Sequence, residues 1–164
     1  MCANQKTPPN RQSAYARLSK LCVRREICAF DAKRRLILWG LERDDQDAVI
    51  ADLIMDKFID DQRYAIAFAR DKSRFDRWGS EKIKQALCQR RISGAAIKLA
   101  LDEVSSDTEN LNLQHLLERK LQTLKPELAL LEKRNKLIRF GLGRGYSPDQ
   151  IFACLKGILS KQSI

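Results

Sequence analysis

Arginine is the residue most able to do chemistry in this chain. Arg63, Arg70, Arg74 and Arg77 recur so that, at 3.6 residues per turn, they share a helical stripe roughly 60° wide. Upstream, Arg17, Lys20 and Arg24 repeat at i, i+3 and i+7. Downstream come Lys82, Lys84, Arg90 and Arg91, then Lys133, Arg134, Lys136 and Arg139, followed by Arg144. A guanidinium is a planar, permanently charged fork whose N–H groups match phosphate and carboxylate oxygens in pairs. For any single Lys or Arg a solvated face is the plainer reading. Like-signed stripes that recur along one chain point instead to an anionic partner. By stripe position and charge, the candidate contact residues are Arg17, Arg24, Arg70, Arg74, Arg77, Lys82, Arg139 and Arg144.

Other chemistries find little support. The single histidine, His115, lies among Leu111, Leu113, Leu116 and Leu117 and reads as a structural or surface residue rather than a catalytic one. No phosphate-loop or HExxH pattern occurs. Gly141-Leu142-Gly143-Arg144-Gly145 resembles a nucleotide loop, but it follows a helical pattern where a strand is required, so it reads as a helix terminus. Asp44, Asp45 and Asp47 complement a helix start more simply than they hold a metal. The five cysteines are odd in number and scattered, which suits free thiols in a reducing cytoplasm. Neither a metal, a cofactor nor a catalytic group is expected.

The whole composition agrees. Thirty-one basic side chains oppose twenty-one acidic ones, a net charge of +10 over 164 residues. Leu, Ala, Arg, Lys and Gln dominate, and Val, Thr and Tyr are few, which favours helices over a sheet. No apolar run reaches a signal peptide or a membrane span, and the apolar stripes are needed for a core rather than for lipid.

The charge falls in bands. Residues 1–43 are net +7, 44–61 net −6, 62–101 net +7, 102–117 net −4 and 118–164 net +6. Ile92-Ser93, Ile97 and Leu101 match Tyr146-Ser147, Ile151 and Leu155 at an offset of 54 residues. Gly40-Leu41 opens the corresponding stretch of the first third, with a few residues inserted. A period near 50 suits three helices per repeat. The pattern predicts helices at 11–25, 30–39 and 45–56, at 61–76, 80–91 and 93–104, and at 109–124, 127–141 and 147–160. The fold is therefore all-α, three tandem three-helix repeats in an elongated, curved array. We divide it as a disordered tail 1–10, repeats 11–58 and 59–104, a linker 105–110 (SSDTEN), and a third repeat 111–164. Ser80, Ser93 and Ser147 are expected as N-caps, and Pro126 and Pro148 as first-turn residues. Tyr15, Tyr64, Phe68 and Phe75 are expected in cores, Trp39 and Trp78 between units.

Phe58-Ile59-Asp60-Asp61, Arg63-Tyr64-Ala65, Phe68, Arg74, Gly79, Ile83, Leu87 and Ile92-Ser93 resemble the central signature of the RecX family, regulators of the RecA recombinase. Tyr15-Ala16-Arg17-Leu18, Lys136-Leu137-Ile138-Arg139-Phe140 and Arg144-Gly145-Tyr146 extend the resemblance over nearly the whole chain after residue 10. Where the family usually has Gly before Ile92 this chain has Arg91, a residue less suited to a left-handed cap. The resemblance implies a non-enzymatic, cytoplasmic protein of three three-helix units that acts in recombination, DNA repair and the SOS response. It implies binding in the groove of the RecA–single-stranded-DNA filament, with inhibition of strand exchange, ATP hydrolysis and coprotease activity; some members bind DNA directly. The chain is expected to act as a monomer. Two other readings stay open: a stand-alone helical DNA-binding protein without a RecA partner, and a scaffold for an acidic protein.

Overall fold

In the computed structural model, which describes residues 9–104 and 106–160, the chain is helical, and no strand occurs among the described residues. The helices are α1 (Arg11–Arg24), α2 (Ala29–Leu38), α3 (Arg43–Met55), α4 (Asp61–Arg74), α5 (Ser80–Gln89), α6 (Gly94–Asp102), α7 (Ser106–Gln122), α8 (Leu130–Gly143) and α9 (Pro148–Ser160). Residues 1–8 of the expected tail lie outside the described residues.

Local chemistry sets these limits. Asn10, Asp60 and Ser93 each accept a hydrogen bond from the backbone N–H three residues on, at 2.9, 2.9 and 3.3 Å. Ser147 and Gln150 form a reciprocal capping box ahead of α9. Pro148 occupies the first helical position, as expected. Pro126 does not: the Leu128 N–H bonds to the Lys125 carbonyl, closing a turn with Pro126 at its second position, and α8 starts only at Leu130. Ser80 is the first residue of α5 rather than its cap, which is Gly79. Residues 106–110, read as linker from their polar composition, are the opening of α7, with Asp107 and Glu109 in its first turn.

The three-helix plan repeats in detail. α2–α3, α5–α6 and α8–α9 are joined by one motif: the N–H groups of Leu41, Ile92 and Tyr146 bond to the carbonyls of Leu36, Leu87 and Gly141 at 3.2, 3.2 and 3.3 Å. One residue earlier, Gly40, Arg91 and Gly145 complete the same Schellman closure in left-handed conformation, with φ of 80°, 59° and 88°. The turn in the first unit therefore has the same length as the others, without the expected insertion. It hides because Gln46 stands where the later units have Ile97 and Ile151. Gln46 is buried and donates from Nε2 to the Leu41 carbonyl at 2.7 Å, which satisfies its amide.

Three cores follow. Leu18, Leu36, Val49 and Leu53 centre the first, Tyr64, Ile83, Leu87 and Ile97 the second, and Leu113, Leu117, Leu137 and Ile151 the third. Burial of each such side chain contributes about 1.5–3 kcal/mol. Adjacent units are stapled by a recurring device. Neither Cys28 before α2 nor Gly79 before α5 offers a capping side chain. The cap comes instead from the next unit's first helix. Asp61 of α4 accepts from the Ala29 N–H at 2.8 Å, and Glu109 of α7 accepts from the Ser80 N–H and Oγ–H, both at 2.6 Å. The acids between the basic bands are thus partly inter-unit fasteners.

Candidate functional site

The second and third units meet where the sequence placed its richest arginine signal. α4 stops at Arg74, and Phe75 forms its C-cap, donating to the Asp71 carbonyl at 2.9 Å. The chain then turns through Arg77, which is left-handed at φ 51°, so Arg77 leaves the α4 stripe on which its spacing placed it. Gly79 lands against the α8–α9 turn: its N–H donates to the Arg144 carbonyl at 2.9 Å, and the Glu81 N–H donates to that of Gly145 at 3.1 Å. A methyl group at Gly79 would lie 2.3 Å from the Gly145 oxygen, so only glycine permits the approach. The Tyr146 hydroxyl donates to the Arg77 carbonyl at 3.0 Å, and burial pushes that phenol well above its ordinary pKa.

This docking gathers side chains far apart in sequence. Lys82 Nζ reaches the Gly143 carbonyl at 3.3 Å and stands 4.6 Å from the centre of the Trp78 ring. Lys72 Nζ is 4.9 Å from the same ring and pairs with Asp76 at 2.7 Å. Arg144 Nη1 lies 3.5 Å from the Asp76 carbonyl, and its guanidinium covers Phe140. The Arg74 guanidinium covers Phe75 at 5.5 Å. Of the candidate residues, Lys82 and Arg144 thus meet at one junction, Arg77 lies in the turn that forms it, and Arg74 ends the helix that leads into it.

The other four lie elsewhere. Arg70 is exposed one turn before Arg74 and pairs with Glu103 at 2.6 Å, an ion pair that water screens to about 0–1 kcal/mol. Arg17 covers Trp39 at 5.7 Å in the first unit, and Arg24 is exposed in the last turn of α1. Arg139 is exposed on α8. Arg63, a stripe member, is bound to Glu26 at 2.7 Å.

The aromatic expectations divide. Tyr64 and Phe68 stack in the second core, and Tyr15 packs edge-on to Phe58. Trp78 packs on Phe68 at the second–third junction, but Trp39 packs in the first unit's own core. Phe75 contradicts its assignment: it is the C-cap of α4 and 72% exposed, because the buried face of that helix ends at Ser73. Lys72 and Phe75 are site residues that sequence reasoning missed. The Phe68–Lys72 spacing of four on a helix was the available signal for Lys72.

Among the described residues no catalytic constellation is assembled. His115 is exposed on α7, and the glycine cluster around Leu142 closes α8. Among the described residues no three metal-ligating side chains come together. Cys28 is buried, and desolvation raises its thiol pKa to about 11. Among the described residues no helix is long and apolar enough to cross a membrane.

Fold and site together define a class: a helical-repeat protein of three-helix units with a cationic, aromatic inter-unit junction. Residues 60–101 match the model of the second three-helix domain of RecX, and residues 108–155 that of the third. The chain belongs to the RecX family of regulatory proteins. It is 30% identical over 108 residues to regulatory protein RecX of Bacillus cereus (strain AH820), covering 66% of this chain and 40% of that protein. To regulatory protein RecX of Clostridium botulinum (strain Eklund 17B / Type B) it is 34% identical over 118 residues, covering 71% of this chain and 55% of that one. The chain thus spans about half the length, or less, of these relatives. Among solved structures, RecX from Lactobacillus salivarius superposes with a TM-score of 0.77 at 19% identity, over 90% of this chain and 95% of that one. Another regulatory protein RecX gives 0.81 at 18%, over 89% and 71%. At those identities the structures establish the fold.

Proposed function

We propose that the chain binds the RecA–single-stranded-DNA filament and inhibits its recombinase, ATPase and coprotease activities. The observation that carries this reading, beside membership of the RecX family, is the meeting of Lys82 and Arg144 at the second–third junction, with Arg77 in its turn and Arg74 at the helix end that leads into it. A filament offers phosphates and acidic protein surface along one continuous track. A row of units joined by stiff inter-unit caps can engage several subunits of such a track at once, which multiplies weak contacts and opposes the subunit movements that ATP turnover requires. The chain contributes charge and shape and no chemical step. Arg17, Arg24, Arg70 and Arg139 extend the contact beyond the junction.

Co-sedimentation with RecA filaments tests the assignment of the face. Replacing Arg74 and Arg144 by Ala should weaken binding at least ten-fold, and replacing Arg17 and Arg24 should weaken it less. Equal effects of the two pairs would deny the junction its role. Binding to naked DNA as tight as to the filament, with a steep salt slope, would favour the stand-alone DNA-binding reading instead.

A further inference from the structure

Phe75 is the feature that neither the helical repeat nor the core explains. It is a large aromatic ring, 72% exposed, on a backbone fixed by the α4 cap. A scattered exposed apolar side chain needs no explanation. This one sits among cations. The Arg74 guanidinium covers one face at 5.5 Å and leaves the rest of the ring to solvent. Arg144 reaches the carbonyl of the very next residue, Asp76, across the inter-unit junction. Of the two acids nearest in the chain, Asp76 pairs with Lys72, and Asp71 lies one turn back on α4. An open aromatic face flanked by guanidiniums matches the two needs of a single-stranded nucleic acid: a platform for an unpaired base and positive charge for its phosphates. Duplex bases are already stacked on one another and cannot use such a platform. An acidic protein segment would use the cations and have no need of the ring.

We propose that Phe75 stacks a base of single-stranded nucleic acid, with Arg74 and Arg144 holding the neighbouring phosphates. The inference deepens the reading of this junction as the filament-facing surface and rests on it for biological context, but it concerns direct contact by the chain alone. The test is fluorescence anisotropy of the full chain with a labelled oligothymidylate at two or more salt concentrations, alongside inhibition of RecA ATPase by the same samples. Phe75→Leu should lose about ten-fold or more in affinity with an unchanged salt slope, and Phe75→Tyr should retain binding. Arg144→Ala should reduce the salt slope by about one. Because the ring is exposed, the Phe75 variants should melt with the wild type. Unchanged affinity in Phe75→Leu overturns the proposal, as does absence of wild-type binding. A loss in Arg144→Ala without one in Phe75→Leu would mark a purely electrostatic surface of the kind an acidic protein uses. ATPase inhibition with Phe75-independent DNA binding would sink the stacking site and leave the filament reading standing. Phe75-dependent DNA binding without inhibition would do the reverse.

Discussion

Gly79→Ala isolates the junction between the second and third units. Gly79 has φ −78° and ψ 163°, a conformation alanine adopts freely, so the backbone itself raises no objection. By chain entropy alone the change should stabilise by about 0.4–1 kcal/mol, offset by a few tenths to about 1 for a poorer N-cap. The contact decides the outcome. The added Cβ would sit 2.3 Å from the Gly145 oxygen, 2.5 Å from its carbonyl carbon and 2.7 Å from the Tyr146 nitrogen, all backbone that cannot swing aside. The junction must open, which breaks the Gly79–Arg144, Glu81–Gly145 and Tyr146–Arg77 hydrogen bonds. At about 1 kcal/mol each, the expected loss is about 3 kcal/mol. Gly94→Ala is the control, since its Cβ meets nothing within 4 Å. Thermal unfolding by circular dichroism should show Gly79→Ala melting about 6–12 °C below wild type, with Gly94→Ala at or above it. Amide exchange at Gly79 should accelerate in parallel with the loss in stability. A Gly79→Ala protein as stable as Gly94→Ala would refute the reasoning.

At Arg91, in the left-handed position that Gly40 and Gly145 hold in the other units, glycine should be the more stable choice. Relief of about 1–2 kcal/mol of steric cost exceeds the roughly 0.5–1 kcal/mol of added chain entropy, so Arg91→Gly should unfold at higher denaturant than Arg91→Ala, the reverse of the usual order. Glu109→Ala removes the acceptor of the Ser80 N–H and hydroxyl and of Gln150 Nε2, and should cost about 2–3 kcal/mol by urea unfolding. Glu109→Gln, which keeps an acceptor in place, should recover part of that. Arg70→Ala, by contrast, should change stability by less than about 1 kcal/mol in the same assay, because both it and its partner Glu103 are exposed to water.

Much of this architecture was legible because it rests on local signals. Ser93, Ser147 and Asp60 are caps whose side chains act within three residues, and Gly40 and Gly145 mark helix ends by conformation alone. Part of what escaped depends on contacts between units, and part on local exceptions to the repeat. Residues 106–110 read as linker because the destination of Glu109 is Ser80, in another unit. The first repeat was blurred by Gln46, a polar residue in an apolar position whose justification is a single buried hydrogen bond. Phe75 satisfied the helical period of the α4 core stripe, yet the helix ended one residue short of it, and periodicity carries no information past a cap. The arginine signal behaved likewise. Arg63, Arg70 and Arg77 share a stripe in projection, but the first two are held by acids outside α4, Glu26 between α1 and α2 and Glu103 at the C-cap of α6, and the third has left the helix. The residues that did meet, Lys82 and Arg144 at the Arg77 turn, were brought together by the Gly79–Gly145 approach, which no single-unit pattern encodes.

The most direct measurement of the central claim is RecA ATP hydrolysis driven by single-stranded DNA, titrated with this chain. Hydrolysis should fall at sub-stoichiometric to stoichiometric ratios of chain to RecA. A chain with Arg74, Arg77 and Arg144 replaced by Ala should need at least ten-fold more protein for the same effect while retaining its helical content. Undiminished hydrolysis at stoichiometric wild-type protein, or equal inhibition by the triple variant, would contradict the account.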